Sequence, residues 1–538
     1  MSHYYFWLHN QLHPDSPTYN IPAVFRIYGP LDIPALQKSI DTVINRHEVF
    51  KIAFSPQGEI LRRPIQDNAS CSLVEIQPEA GISTAQLQHL ISEEITRPFN
   101  LRTGPLIRIH LMHVESDYHI LLIVMHHIIT DLRSKELLGA QISVCYDTIV
   151  KKRNLPSLQP PFQYSNYVNR QQAWRLTQPA REMIEFWKKE IQDYNGLLAL
   201  PLDHRRPPVA RSFGKAHFFT IPSEQVTTLH EYCRHYSIAP FVALLTCYLI
   251  LLMRYSKQRN LVVGVPLTNR RHTEDKDTMG CFINILPLAI ELHKDLTVLQ
   301  AMRLVRWKLL QAHRNQEIAF RDIVAAAQLP RGPSFNPLFQ VGFTLEPPME
   351  LQLSGLKVVS EKWHNQGSQL DLFLNIFEMS PGIQGYFEYN QDLFEPATVA
   401  RMSAHFRLLA TSLPNQAEKK ICSVEIITPE ERTKLLYQWN QTARNFGELQ
   451  SLNQLFEKQV ARSPGAKAVI YTDTALSYQE FNTRANQLAH FLIKQGVGPE
   501  NIVAVFMERS LEMVIALYAI IKAGGAYVPL EPDFPQQR

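Results

Sequence analysis

The sequence predicts an α/β protein of two similar lobes, with a smaller α/β unit at its C-terminal end. Three observations predict this. Apolar strands alternate with amphipathic helices, and the pattern starts again after a Pro/Arg-rich connector at Pro201–Pro208. The 538 residues also exceed one hydrophobic core, at roughly 100–200 residues per domain.

The elements follow in order. Residues 22–29 (PAVFRIYG) predict a strand. Leu31–Phe50 predicts a helix, with Leu36, Ile40, Val43 and Ile44 on one face, and a strand begins over Phe50–Phe54. Thr84–Glu94 reads as a short amphipathic helix, Leu106–His113 as a strand, and Tyr118–His127 as a central buried strand. A helix from Leu132 to Val150 completes the first unit, and a polar stretch with several prolines spans Asn154–Tyr164. Residues 180–192 form a helix before the connector. After it come a strand at Lys215–Phe219, helices at Glu224–His235 and Pro240–Arg254, a strand at Leu261–Val265, a helix at Leu296–Ala312 and a strand at Phe339–Leu345. A strand pair at 370–377 and 384–389 and a helix at 396–412 close the second unit. Residues 413–450 are polar and read as a linker with one short helix. The third unit has helices at 452–462, 478–495 and 510–522 and strands at 467–471 and 502–506. The expected division is 1–172, 173–415, 416–450 and 451–538.

Composition narrows the function. Lys+Arg number 54 against 50 Asp+Glu, a net charge of +4, which makes no general case for nucleic acid. An apolar share of 45% excludes a disordered chain. Lys151–Lys152–Arg153 and Arg270–Arg271 are short basic runs of the kind that is mostly solvated. The six cysteines, at 71, 145, 233, 247, 281 and 422, form no CxxC, which argues against a disulfide framework and a cysteine-rich metal site. No signal-peptide pattern opens the chain and no run reaches 18 apolar residues. A soluble, cytoplasmic protein in a reducing compartment is expected, without a membrane partner.

The most informative string is Met125-His126-His127-Ile128-Ile129-Thr130-Asp131, at the exit of the buried strand. Strand alternation sends the two histidines to opposite faces, so one can face a cleft while the other packs inside. An imidazole suits proton transfer near neutral pH, and equally suits a satisfied core position. Asp131 stands where the chain turns into a helix, as its cap, as a partner for a cation, or both. Histidines that point apart, with no ligand at suitable spacing, argue against zinc. No GxxxxGK phosphate loop occurs.

Taken in order, these strings resemble a nonribosomal peptide synthetase condensation domain followed by the start of an adenylation domain. The family's HHxxxDG stands here as His126-His127-Ile128-Ile129-Thr130-Asp131-Leu132, with Leu132 where Gly is usual. Arg46–Phe54 is similar to RHExLRTxF, Gly280–Ile285 to GxFVNT, and Asn315–Phe320 to a loosened HQDxPFE, while Asn336–Gln340 is an intact NPLFQ. Trp7 matches the Trp of a clipped first motif, with Tyr5 at its Arg, and Asn166-Tyr167-Val168 is an altered DYA motif. Leu476–Phe481 and Lys522–Pro532 resemble the first two adenylation motifs; the sequence given ends before the nucleotide loop, so adenylation is not expected of it.

The resemblance implies two lobes like chloramphenicol acetyltransferase, with a tunnel entered by one carrier arm from each side. It implies amide formation between a donor acyl or peptidyl thioester and the amine of an acceptor aminoacyl thioester. His127 is then the catalytic residue. His126, Asp131 and Arg270 support it, with Asp131 paired to Arg270, while Leu132 and Asn284 lie next to the channel. No permanently bound cofactor and no metal are expected. Substrates arrive on the phosphopantetheine arms of an upstream donor and a downstream acceptor carrier domain, and the rest of the synthetase is a partner. HHxxxD argues against a heterocyclisation domain. A non-catalytic carrier-docking or gating domain, a related acyltransferase and an epimerising member of the fold are the alternatives.

Overall fold

The computed structural model describes residues 2–533 apart from 63–72, 80, 155–161, 195, 328, 330–331, 380–381 and 448. Cys71 and most of the proline-containing stretch Asn154–Tyr164 lie outside the described residues. The chain forms two compact units, Met1–Arg432 and Thr433–Arg538.

Two sheets organise the first unit. The five-stranded sheet runs, in spatial order, Lys357–Glu361, Asn20–Tyr28, Tyr118–His126, Ile107–Glu115 and Val74–Ile76. Tyr118–His126 is the middle strand, antiparallel to both neighbours. Ile120 to Val124 are fully buried, which explains their unbroken apolar run: both faces of this strand are covered. The six-stranded sheet runs Gly214–Pro222, Gly382–Asn390, Leu372–Met379, Val341–Glu346, Asn260–Thr268 and Ile283–Glu291. Val341–Glu346 is parallel to both neighbours and the remaining pairs are antiparallel. Helix Pro240–Ser256 is apolar all round because it is buried all round. Among the described residues no single helix is long and apolar enough to cross a membrane.

The sheets are not separated by one boundary along the chain. Lys357–Glu361 leaves the second half of the first unit to pair with Asn20–Tyr28. Met279, Cys281 and Phe282 likewise pack in the core of the five-stranded sheet, where the Tyr164 hydroxyl donates to the Cys281 carbonyl at 2.8 Å. Gly280 has no room for a side chain: a Cβ there would sit 2.1 Å from Tyr164 Cδ2. Gly280→Ala is expected to lower stability by about 1–3 kcal/mol, read as an earlier urea midpoint.

The helix expected over Leu31–Phe50 is shorter. It spans Ile33–Arg46, capped by Asp32, with Leu36, Ile40, Val43 and Ile44 buried as the spacing predicts. His47 then turns extended because its buried ring bonds Gln141 at 2.9 Å, and the Glu48 carboxylate accepts from the Ser165 N–H at 2.7 Å. These tertiary bonds hold 47–48 out of the helical register, and Glu48–Lys51 forms a 3₁₀ turn before strand Ile52–Phe54. Helix Ser2–Leu12 was not legible, since its aromatic string carries no helical spacing; Phe6 and Trp7 secure it by burial. Cys145, Cys233, Cys247, Cys281 and Cys422 are free thiols.

The second unit has helices Leu452–Arg462, Tyr478–Lys494 and Leu511–Lys522 around a small core with Phe456, Phe481 and Ile515. Ser451 with Gln454 and Ser477 with Glu480 make capping boxes for two of them. Lys467–Tyr471 pairs with Thr474–Ser477, and Ile502–Phe506 runs parallel to Ala526–Leu530.

Candidate active site

The site forms where the central strand ends. Asn20 pairs with His126 in the ladder, and the next residue, His127, donates its backbone N–H to the Tyr19 carbonyl at 2.8 Å as a 3₁₀ turn begins. The two imidazoles then part. His126 is buried, and its Nδ1 accepts from the Ile128 N–H at 3.1 Å. Burial first, then the neighbouring His127, His9 and Arg108, pushes its pKa down to about 3, so the His126 ring is neutral.

His127 is half-buried and lines a cavity of about 1220 Å³, its open mouth included. Its Nδ1 lies 2.8 Å from the Thr130 carbonyl, which only accepts, so Nδ1 carries the proton and Nε2 keeps a lone pair. The Phe6 ring stacks on the imidazole at 5.0 Å between centroids and fixes its plane. Burial holds the His127 pKa below its ordinary 6.5. Its backbone bonds and Glu346 oppose that, and Lys135 adds to it. The ring is therefore neutral at pH 7 and suited to accept a proton.

Asp131 is both cap and ion-pair partner. Oδ1 accepts from the Ser134 N–H at 2.8 Å, the Ser134 hydroxyl at 2.7 Å and Arg270 Nη2 at 2.8 Å; Oδ2 accepts from the Phe282 N–H at 3.2 Å. Arg270, whose place in a short basic run pointed to solvent, is instead buried, its side chain 5% exposed against 3% for Asp131. It also donates to the carbonyls of Asp275 and Thr278, and its guanidinium lies 3.9 Å over the Phe282 ring. Lys151–Lys152–Arg153, the other basic run, is exposed.

Leu132 lies in the wall between the His127 cavity and a second one lined by Arg133, Glu136, Phe241 and Lys276. Asn284 is buried. It donates to the carbonyls of Gln316 and Ile318 and accepts from the Phe320 N–H, so it holds the 316–320 loop. It also lines an apolar cavity with Tyr5, Phe6 and Phe339, next to that of His127. The NPLFQ string is structural, with Gln340 Oε1 accepting from the Leu198 N–H at 2.8 Å. Among the described residues no group of three or more His, Cys, Asp or Glu is placed to hold a metal ion. Lys135, Glu346, Lys362 and Glu388 on the cavity wall were not legible in the sequence, nor was Phe6, which stacks on His127 from the neighbouring cavity. Only Lys135, one turn beyond Asp131, carried a helical-spacing signal.

Two mixed sheets meet at a cavity that holds an oriented imidazole with a free lone pair, a group able to take a proton. The condensation-domain profile matches residues 4–436, and that of the AMP-binding enzymes matches 456–538. The chain belongs to the condensation-domain family of nonribosomal peptide synthetases, followed by part of an AMP-binding domain. Condensation domains are acyltransferase-type catalytic domains that form the peptide bond in nonribosomal peptide synthesis.

Chondramide synthase cmdD of Chondromyces crocatus is 35% identical over 99% of this chain and 14% of that protein. Malpinin synthetase of Mortierella alpina is 32% identical over 99% of this chain and 7% of that protein. The chain thus spans a small fraction of these relatives. A four-domain nonribosomal peptide synthetase bound to AMP and glycine superposes with a TM-score of 0.85 at 23% identity, over 100% of this chain and 42% of that one. The first condensation domain of the CDA synthetase gives 0.67 at 16% identity, over 79% of this chain and 98% of that one. Both likenesses show the fold.

Proposed function

We propose that the first unit joins a donor acyl or peptidyl thioester on an upstream carrier domain to the amine of an acceptor aminoacyl thioester on a downstream carrier domain. Nonribosomal peptide synthetases work with carrier domains of this kind, whose phosphopantetheine arms bring the substrates. The donor and acceptor roles, and lobes at 1–172 and 173–415, a linker at 416–450 and the adenylation part at 451–538, belong to this proposal.

The observation that carries it is the His127 lone pair beside a cavity lined by residues of both sheets. The acceptor amine attacks the donor thioester carbon, the C–N bond forms and the C–S bond breaks. The amine's proton passes to the Nε2 of His127 and from there to the departing thiolate, so charge and protons balance. Proton transfer of this kind contributes roughly 10²–10⁴-fold. Holding the two reactants together contributes several kcal/mol more by order of magnitude. His126, Asp131 and Arg270 act by holding the turn that presents His127.

Intact-mass spectrometry of the acceptor carrier tests the reading. With a panel of loaded donors, the acceptor gains the mass of the donor acyl group; a panel of matched donors that transfers nothing contradicts it. A docking role is the second reading. It draws on the teicoplanin X-domain, a protein of this fold at TM-score 0.68 and 20% identity whose structure is a complex with OxyB. Leu132 bears on the choice, because its side chain stands between two cavities. Leu132→Gly is expected to speed transfer to bulky acceptors several-fold over small ones, and Leu132→Trp to slow both. Equal rates in all three proteins would remove Leu132 from the channel.

A further inference from the structure

One cation on the wall of the His127 cavity has no ion-pair partner among the described residues. Four carboxylates line it, Asp131, Glu346, Glu361 and Glu388. Each has a partner. Asp131 holds Arg270, Glu361 is forked by Arg26, Glu346 pairs with Lys135 at 3.3 Å, and Glu388 accepts from His364 Nε2 and the Gln369 N–H. Two lysines line the same cavity, Lys135 and Lys362. Among the described residues no carboxylate lies within ion-pair distance of Lys362. Its ammonium rests instead 3.8 Å over the face of the Phe377 ring, itself on the cavity wall.

A lysine can hold its charge over an aromatic face, which is a weaker site than a carboxylate. The surroundings show the deficit: burial, then Lys135, brings the Lys362 pKa down to about 8, with Glu346 opposing. The same Lys135 and Glu346 act on His127, so the unpaired ammonium belongs to the reacting cavity and not to an outer surface.

We propose that Lys362 receives a carboxylate carried by a substrate, so that this cavity takes an acyl unit with an acidic side chain. This rests on the condensation reading and names the substrate class for it. The carboxylate can arrive on the donor or on the acceptor; a charge-assisted hydrogen bond to it in this partly desolvated site is worth roughly tenfold or more in selectivity.

The test compares glutamyl with glutaminyl substrates, which differ in charge and little in shape. In the acceptor arm both are soluble N-acetylcysteamine thioesters, which carry no pantetheine phosphate that Lys362 could bind instead. In the donor arm a carrier is loaded with N-acetylglutamyl or N-acetylglutaminyl. The expected result is a glutamyl preference of at least tenfold in one arm. It collapses toward one in Lys362→Met and is kept in Lys362→Arg. Ratios near one in both arms of the wild type, or a ratio unmoved by Lys362→Met, overturn the proposal. Should no substrate react at all, the condensation reading is what fails. Calorimetric titration of the full chain with glutarate and glutaramide then decides Lys362 by itself: glutarate binds at least tenfold tighter, and only while Lys362 is present, or the proposal falls.

Discussion

His127→Ala is expected to slow transfer of the donor acyl group by roughly 10²–10⁴-fold while leaving the thermal midpoint near that of the wild type. The ring is half-buried and makes one side-chain hydrogen bond, to the Thr130 carbonyl, so its removal breaks little structure. The backbone N–H that bonds the Tyr19 carbonyl is kept. The pH dependence gives a second reading of the same group. Burial holds the His127 pKa below 6.5, so the ring is neutral above that value and takes a proton only at lower pH. The wild-type rate should therefore fall as pH drops through a point below 6.5, and His127→Ala should lack that inflection. A full-rate alanine variant, or an inflection shared by both proteins, would take His127 out of the reaction. Stability follows the same sign. His126 and His127 stay neutral in the fold while unfolded imidazoles bind protons below about 6.5, so stability declines as pH falls below that value.

Asp131→Ala is expected to destabilise the first unit by about 3–5 kcal/mol, because it leaves the Arg270 guanidinium buried without its carboxylate. Arg270 keeps the carbonyls of Asp275 and Thr278, which accept hydrogen bonds but carry no charge to balance its own. The same deletion strips acceptors from the N–H groups of Ser134 and Phe282, and so loosens the start of helix Leu132–Val150 and the 270–282 segment together. Urea unfolding measures it. Activity should track the folded fraction, in contrast to His127→Ala, where activity falls with the fold intact. An unchanged urea midpoint would mean that the pair carries no stability.

Much of this was legible along the chain. The uninterrupted apolar run of Tyr118–His126 marks a strand covered on both faces, and it is the middle strand of its sheet. Leu36, Ile40, Val43 and Ile44 face inward as their spacing requires. The string His126–Asp131 marks the turn around which the cavity forms, and Asp131 and Arg270, 139 residues apart, come together there. What was not legible depends on distant partners. No local pattern shows that Lys357–Glu361 pairs with Asn20–Tyr28, that His47 bonds Gln141, or that Phe6 stacks on His127. Lys135, Glu346 and Lys362 are ordinary surface residues by type. Only the meeting of a helix with strand Val341–Glu346 and the segment after Lys357–Glu361 places them on one cavity wall.

In the proposed reaction His127 serves a transfer between two carrier-bound substrates. A single-turnover experiment tests it most directly, with both loaded carriers at saturating concentration and their affinities measured on the same samples. Wild type is expected to move the donor acyl group onto the acceptor amine and to leave a free thiol on the donor carrier. His127→Ala is expected to bind both carriers and to move almost nothing. Carriers that bind the wild type with no mass transferred, or equal transfer by the alanine variant, would contradict it.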